Sequence, residues 1–292
     1  MFTTILFPSA YGEINQIDEE FVREYEAVCE NDALHPILFG FDDWVTENRL
    51  RLSEKPETDI RAVYRGWMMQ PGQYRDFFER LSKRRIHLLT TPEMYERMHM
   101  FPLIYPQIQE DTAKILTFPL HTKIDVEQLK GTFRRFMVKD YVKSVKGTEF
   151  PAFFDETVSQ EEFDRWMEVF YHYRANLLTG GICVKEYLSL KRYGGKTNEY
   201  RVFYFQNEIL SVCRNSLQGN YTPEVPMELI RKWQGLDSVF YTIDYAELED
   251  GTWKIIETGD GSVSGLSDGQ DARSFFRKLY ICGMEERAKE MQ

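Results

Sequence analysis

The sequence predicts an α/β protein whose C-terminal part becomes α+β, and three observations lead there. Strand and helix patterns alternate through the first hundred or so residues. After about residue 110 that rhythm gives way to paired strands joined by short turns. The stretch 242–261 then reads as a hairpin that brings two carboxylates, Asp244 and Glu257, face to face.

Taken in order, residues 3–7 form an apolar strand, and 19–29 have helical spacing through Phe21, Tyr25 and Val28. Residues 35–41 and 60–64 are further strands. Pro71 opens a helix that turns Tyr74, Phe77, Phe78 and Leu81 inward, and 85–89 is another strand. Thr91-Pro92 then caps a helix with proline in its first turn. This βαβα order implies an open, largely parallel sheet. No Gly-x-Gly-x-x-Gly follows the first strand, which argues against a dinucleotide site there.

Beyond residue 110, residues 136–143 alternate, placing Lys139, Tyr141 and Lys143 on one face. Ser159 with Glu162 three residues later is a capping-box signature. It opens a helix whose buried stripe is Phe163, Trp166, Met167, Phe170 and Tyr173, and Gly180-Gly181 ends it. Residues 182–188 form a strand, 193–198 a polar glycine-containing turn, and 199–205 and 208–214 a strand pair. Residues 272–286 form an amphipathic helix.

Composition narrows the function. At 292 residues the chain can bury a large core, and 15% aromatic content excludes a disordered protein. A net charge of −11 argues against a general binder of nucleic acid or anionic membrane, while leaving a local basic groove open. No segment approaches the ~18 continuous apolar residues of a membrane span. The start lacks a basic stretch before its apolar residues, so no secretion signal is expected. Cys29, Cys183, Cys213 and Cys282 are scattered without a Cys-x-x-Cys, which fits a reducing cytoplasm. The five histidines show no metal-ligand spacing, and His172 reads as structural. A nucleophile elbow and a Walker lysine loop are both missing.

Two hairpins carry the chemistry. With Asp250-Gly251 as a two-residue turn, Asp244 falls opposite Glu257 and Glu247 opposite Lys254. Directly opposed side chains share a face with Cβ atoms roughly 4.5–5.5 Å apart, so two anions there repel unless a cation lies between them. That points to a hard-cation site, the alternative being a solvated acidic hairpin. With Gln206-Asn207 as the other turn, Glu199 falls opposite Arg214 and Arg201 opposite Val212. Glu199, Arg201 and Arg214 then share a face. Two guanidiniums there can hold phosphate bidentately; the alternative is a cross-strand salt bridge at a sheet surface.

In order, these elements are a lysine strand, a glycine pair with the strand Val184-Lys-Glu-Tyr-Leu, an arginine hairpin and a carboxylate hairpin. That order resembles the ATP-grasp superfamily, and within it the clade named for two arginines and a lysine. The resemblance rests on residues 136–144, 184–188, 198–205 and 212–214, with Asp244 and Ile256-Glu257, and covers roughly 125–280. It implies a Rossmann-like pre-ATP-grasp domain over residues 1–120, followed by a two-subdomain ATP-grasp domain over 121–292.

By position, the resemblance implies that Lys139 contacts nucleotide phosphate, with Lys143 and Lys146 nearby as either backups or solvated residues. It sets Glu186 and the backbone of Tyr187 and Leu188 against adenine, while Lys185 stays open between a phosphate contact and none. Arg201 and Arg214 would neutralise the triphosphate, and Glu199 would orient Arg214 or reach the ribose. Asp244 and Glu257 would hold Mg2+. An asparagine usually follows the metal glutamate by two residues; here that position is Gly259, so Asp260 is expected either to supply the oxygen or to be a turn residue. The loop 259–269 is either a substrate loop or a connector.

The resulting expectation is an ATP- and magnesium-dependent carboxylate–amine ligase. It would work through an acyl phosphate on small-molecule or peptide substrates, with Lys139, Arg201 and Arg214 as the charge-stabilising residues. The alternative is an ATP-binding assembly factor that acts on a protein partner without ligase turnover, as eukaryotic chaperones of this fold do.

Overall fold

The computed structural model describes residues 3–215 and 223–290. Its first part runs β1 (Thr4–Ala10), β2 (Glu13–Ile17), α1 (Val22–Cys29), β3 (His35–Phe39), α2 (Phe41–Glu47), β4 (Ile60–Tyr64), α3 (Pro71–Ser82), β5 (Ile86–Leu88), α4 (Pro92–His99) and α5 (Phe101–Ile108). Strands β3, β1, β4 and β5 are parallel neighbours, as the alternation of elements predicts. Strand β2 was not anticipated. It folds back antiparallel on the end of β1, and its polar residues Glu13, Asn15 and Gln16 give it no apolar alternation to read. Thr91 Oγ1 accepts from the Met94 N–H at the start of α4, which confirms the expected cap.

The middle part comprises β6 (Ile115–Phe118), α6 (Val126–Thr132), β7 (Arg135–Asp140), β8 (Phe154–Asp155), α7 (Gln160–Arg174), β9 (Ile182–Glu186) and the short hairpin β10 (Arg192–Tyr193) with β11 (Lys196–Thr197). An antiparallel sheet in the order β6-β9-β7-β8 lies against α6 and α7. Strand β6 joins this sheet although it precedes residue 121, where the sequence placed the second unit. Ser159 Oγ accepts from the Glu162 N–H, so the capping signature marks the start of α7.

The expected strand 136–143 stops early. The Asp140 carboxylate accepts from the Val142 and Lys143 N–H groups and turns the chain back on itself. Tyr141 consequently leaves the shared face and lies against Gly180 and Gly181. A Cβ on Gly180 would meet the Tyr141 ring at 2.4 Å, and its φ of +72° also favours glycine.

The last part contains β12 (Glu199–Phe205), β13 (Glu208–Arg214), α8 (Met227–Lys232), β14 (Phe240–Glu247), β15 (Trp253–Asp260) and α9 (Ala272–Glu290). Its antiparallel sheet runs β13-β12-β14-β15. One face of this sheet packs Phe203, Phe205 and Phe240 with α9 and the first sheet. Its other face packs Tyr204, Tyr241 and Ile243 against α4, α5 and α8. The α4–α5 junction is thereby wedged beneath the two antiparallel sheets. No helix among the described residues is long and apolar enough to cross a membrane.

Candidate active site

Two bulges decide which side chains face the space between the antiparallel sheets. The Asp250-Gly251 turn is one residue longer than expected: the Leu248 N–H donates to the Thr252 carbonyl, and Gly251 takes a φ of +84°. That shifts the register by one, and Glu247 pairs with Trp253 instead of Lys254. Ile256 is then an extra residue on β15 that shifts it back, so Asp244 does lie opposite Glu257. The expected Glu247–Lys254 pair is absent because it lies between the two shifts. Buried Glu247 instead accepts from Tyr193 Oη and Asn198 Nδ2, and Lys254 Nζ donates to the Glu110 carbonyl.

The arginine hairpin also carries a bulge, and here nothing compensates. Leu210 is extra on β13, so Arg201 pairs with Cys213 and Arg214 with Tyr200. Arg214 therefore occupies the opposite face from Arg201, with its guanidinium 5.3 Å from the centre of the Tyr200 ring. The expected convergence of the two arginines is not found. Asn215, whose N–H donates to the Glu199 carbonyl, reaches the cavity instead.

That cavity has a volume of about 980 Å3. On the β12-β14-β15 side, Arg201 holds Asp244 through two hydrogen bonds of 2.8 and 2.7 Å. From the β7-β9 side, buried Lys139 reaches across with Nζ 3.0 and 3.1 Å from the two Glu257 oxygens. Glu257 lies deep between the sheets yet keeps 44% of its side-chain surface open to the cavity. Burial pushes its carboxyl up, but the ammoniums of Lys139, Lys185 and Lys143 outweigh that and hold it below its usual range.

Lys185 and Lys139 share a face of the second sheet, across from Met137 and Cys183 respectively. Lys185 Nζ donates to the carbonyl of the bulged Ile256 at 2.7 Å and sits 3.7 Å from the centre of the Phe101 ring. Burial pushes its pKa down to about 8. Lys143 also lines the cavity, and burial lowers its pKa as well. Lys146 lies on the cavity wall beside it.

Glu186, Tyr187 and Leu188 line the cavity as the chain leaves β9, and Glu199 lines it from β12. The Glu186 carboxylate accepts from the Lys114 N–H at 3.2 Å, and the Tyr187 N–H donates to the Arg135 carbonyl. The Glu199 carboxylate accepts from Thr197 Oγ1, and Glu199 shares the Arg201 face of β12, opposite the face that Arg214 occupies.

Asp260 does not join the opposed carboxylates. It is fully buried and outside the cavity lining, with Oδ1 accepting from the Ser262 N–H and Arg65 as its nearby charge. Burial pushes its carboxyl up to about 7. Among the described residues no three acidic, imidazole or thiol groups gather as a metal cluster. At Gly259, a Cβ would come within 2.8 Å of Ser264 Oγ and 3.0 Å of Thr242 Oγ1, so these two hydroxyls fill the space an asparagine side chain would need.

Two residues, one in the cavity wall and one buried behind it, were not anticipated. Phe101 supports both lysines, at 5.5 Å from Lys139 and 3.7 Å from Lys185, and His99 lines the wall beside Lys143. In sequence both sit within an ordinary apolar stretch, and only the wedging of the α4–α5 junction between the sheets brings them here.

Comparison with known proteins bears on the family and the fold. Residues 128–279 match the ATP-grasp domain of family 3 in the clade named for two arginines and a lysine. No curated protein sequence matches the chain. Among solved structures, the D-alanine–D-alanine ligase from Coxiella burnetii aligns with a TM-score of 0.63 at 10% identity, over 99% of this chain and 96% of that one. The D-alanine–D-alanine ligase from Bacillus anthracis, complexed with ATP, aligns at 0.60 and 13% over 98% of each chain. The ATP-grasp ligase PsnB, complexed with a minimal precursor, aligns at 0.60 and 10% over 97% of this chain and all of that one. At such identities the likeness is one of fold.

Proposed function

The chain belongs to the ATP-grasp superfamily, in family 3 of the clade named for two arginines and a lysine, and from that premise we propose that it is an ATP-dependent carboxylate–amine ligase. In this reading a carboxylate takes the γ-phosphoryl group of ATP, ADP leaves, and an amine displaces phosphate from the acyl phosphate. The observation that carries the reading is the paired arrangement Arg201–Asp244 and Lys139–Glu257 in one cavity. It offers two cations for phosphate and two hard oxygen donors for a divalent metal.

The donor chemistry fits both ATP and Mg2+. Asp244 and Glu257 would hold the metal, and when bound it would neutralise phosphate charge. Lys139 and Arg201, now occupied by those carboxylates, would turn to phosphate oxygens, with Lys185 and Lys143 adding positive potential. The Leu188 backbone and Glu186 would meet the base, and Glu199 the ribose. Arg214 has no part in this scheme, and Asp260 none in the metal site. The reaction needs no side-chain nucleophile. We also take residues 1–120 as the pre-ATP-grasp domain, with β6 lent to the ATP-grasp sheet. The substrates are taken to be amino acids or peptides, by analogy with the ligases whose fold the chain shares.

The test is a mass-spectrometric screen with ATP, magnesium and a pooled set of amino acids, scoring ADP and any new amide together. Both should appear. Tight ATP binding without turnover against amino acids and peptides would favour an assembly factor instead.

A further inference from the structure

His99 is the last residue of α4 and one of the most enclosed polar side chains of the cavity, with 7% of its surface exposed. Its ring nitrogens have no hydrogen-bond partner among the described residues. The ring is nevertheless held firmly. It stacks on Tyr95 at 5.0 Å and 21°, and Tyr95 stacks on Tyr74 at 3.9 Å and 6°. Tyr95 Oη donates to the Met69 carbonyl and accepts from the Met69 N–H, and Tyr74 Oη donates to the Thr90 carbonyl. Three rings thus form a buried column, rooted in the first part of the chain, that ends with an imidazole edge on the cavity.

The surroundings define what that edge can meet. Lys143, Lys139 and Glu257 are the charged groups that act on it. Burial, reinforced by Lys143, pushes its pKa down to about 4, so the ring is neutral at physiological pH and keeps one N–H to donate. A fixed neutral imidazole beside an ammonium is suited to polarise a carbonyl oxygen, because it donates without giving up its proton.

We propose that His99 is a catalytic residue that donates its ring N–H to an oxygen of the carboxylate substrate and to the same oxygen as the amide forms. This rests on the ligase reading above. One carboxylate oxygen attacks Pγ, forming a C–O–P bond while the Pγ–O bond to ADP breaks. The His99 N–H lies on the other oxygen. When the amine nitrogen attacks the carbonyl carbon, that oxygen takes up the negative charge, and Lys143 and His99 stabilise it. The C–O–P bond then breaks, phosphate leaves with the bonding pair, and the amine proton passes to phosphate. His99 takes no proton at any point.

The probe is acetyl phosphate, the simplest acyl phosphate, added with Mg-ADP to protein carrying 15N-labelled histidine. Two readouts separate two questions. Perturbation of the His99 ring N–H resonance, absent in His99→Phe, reports the contact; ATP formed from acetyl phosphate and ADP reports the phosphoryl-transfer chemistry. The expected result is a shifted resonance with ATP formation falling about 10-fold in His99→Phe, the loss of one hydrogen bond to the oxygen of the departing carboxylate. His99→Gln, which keeps an N–H donor, should recover much of that loss, with Mg-ADP affinity unchanged in both variants. ATP formation with an unmoved His99 resonance, or with His99→Phe as active as the parent, overturns the role of His99 and leaves the ligase reading standing. A shifted resonance without ATP supports the contact and counts against the acyl-phosphate route.

Discussion

Arg201 and Asp244 are register partners on β12 and β14, and the guanidinium grips the carboxylate with both ends of its fork. Glu257 is held from the facing sheet by Lys139, whose single ammonium reaches both carboxylate oxygens. The two opposed carboxylates are therefore each neutralised in the protein alone, and neither waits on a metal for its counter-charge.

Asp244→Asn and Glu257→Gln should each lower thermal stability in the absence of nucleotide, since each strands a cation. Loss of a charge-assisted bond costs on the order of 1.5–3 kcal/mol, and Glu257, being more open, should cost less. Both variants should also lose the magnesium dependence of ATP binding. Melting curves with calorimetry in magnesium and in chelator check both effects. Unaltered magnesium dependence in both variants would remove the pair from the metal site.

Arg201→Ala and Lys139→Ala should weaken ATP binding by about 10- to 150-fold while leaving adenosine binding nearly unchanged. Arg214→Ala should change neither, because the Leu210 bulge turns it to the other face. Titration calorimetry with the two ligands gives the comparison. Equal losses of ATP affinity for Arg201→Ala and Arg214→Ala would contradict the register described here.

Asp260→Asn tests the exclusion of that residue from the metal site. Its folded pKa of about 7 lies above the 3.8 of a free side chain, so the folded protein holds the extra proton between those values. Its stabilising contribution is full below about pH 4 and is lost as pH rises through 7. The stability of Asp260→Asn relative to the parent should therefore climb between pH 4 and pH 8. Magnesium-dependent ATP affinity should stay the same, and a variant that lost it would return Asp260 to the metal.

Much of this arrangement was legible in the sequence, though not always for the reason the sequence suggested. Strands β12 and β13 begin and end where their alternation predicts, and Asp244 faces Glu257. That second result depends on two shifts that cancel, a longer turn at Asp250-Gly251 and an extra residue at Ile256. Where only one shift occurs, at Leu210, the same reasoning put Arg214 on the wrong face. Bulges at leucine and isoleucine carry no local signature, because neither residue needs an unusual backbone conformation. His99 and Phe101 escaped for another reason. Their role comes from a helix junction wedged under two sheets, a tertiary contact that one chain's periodicity does not encode.

The acyl-phosphate route is tested most directly by following oxygen. Amino acids labelled with 18O in both carboxylate oxygens are supplied with ATP and magnesium, and the phosphorus-containing products are analysed by mass. In the mechanism proposed, the carboxylate oxygen that attacked Pγ leaves with phosphate, so one 18O should appear in each inorganic phosphate, with ADP unlabelled. Label in AMP, with pyrophosphate as the other product, would mean that the carboxylate attacks the α-phosphorus and would contradict the account.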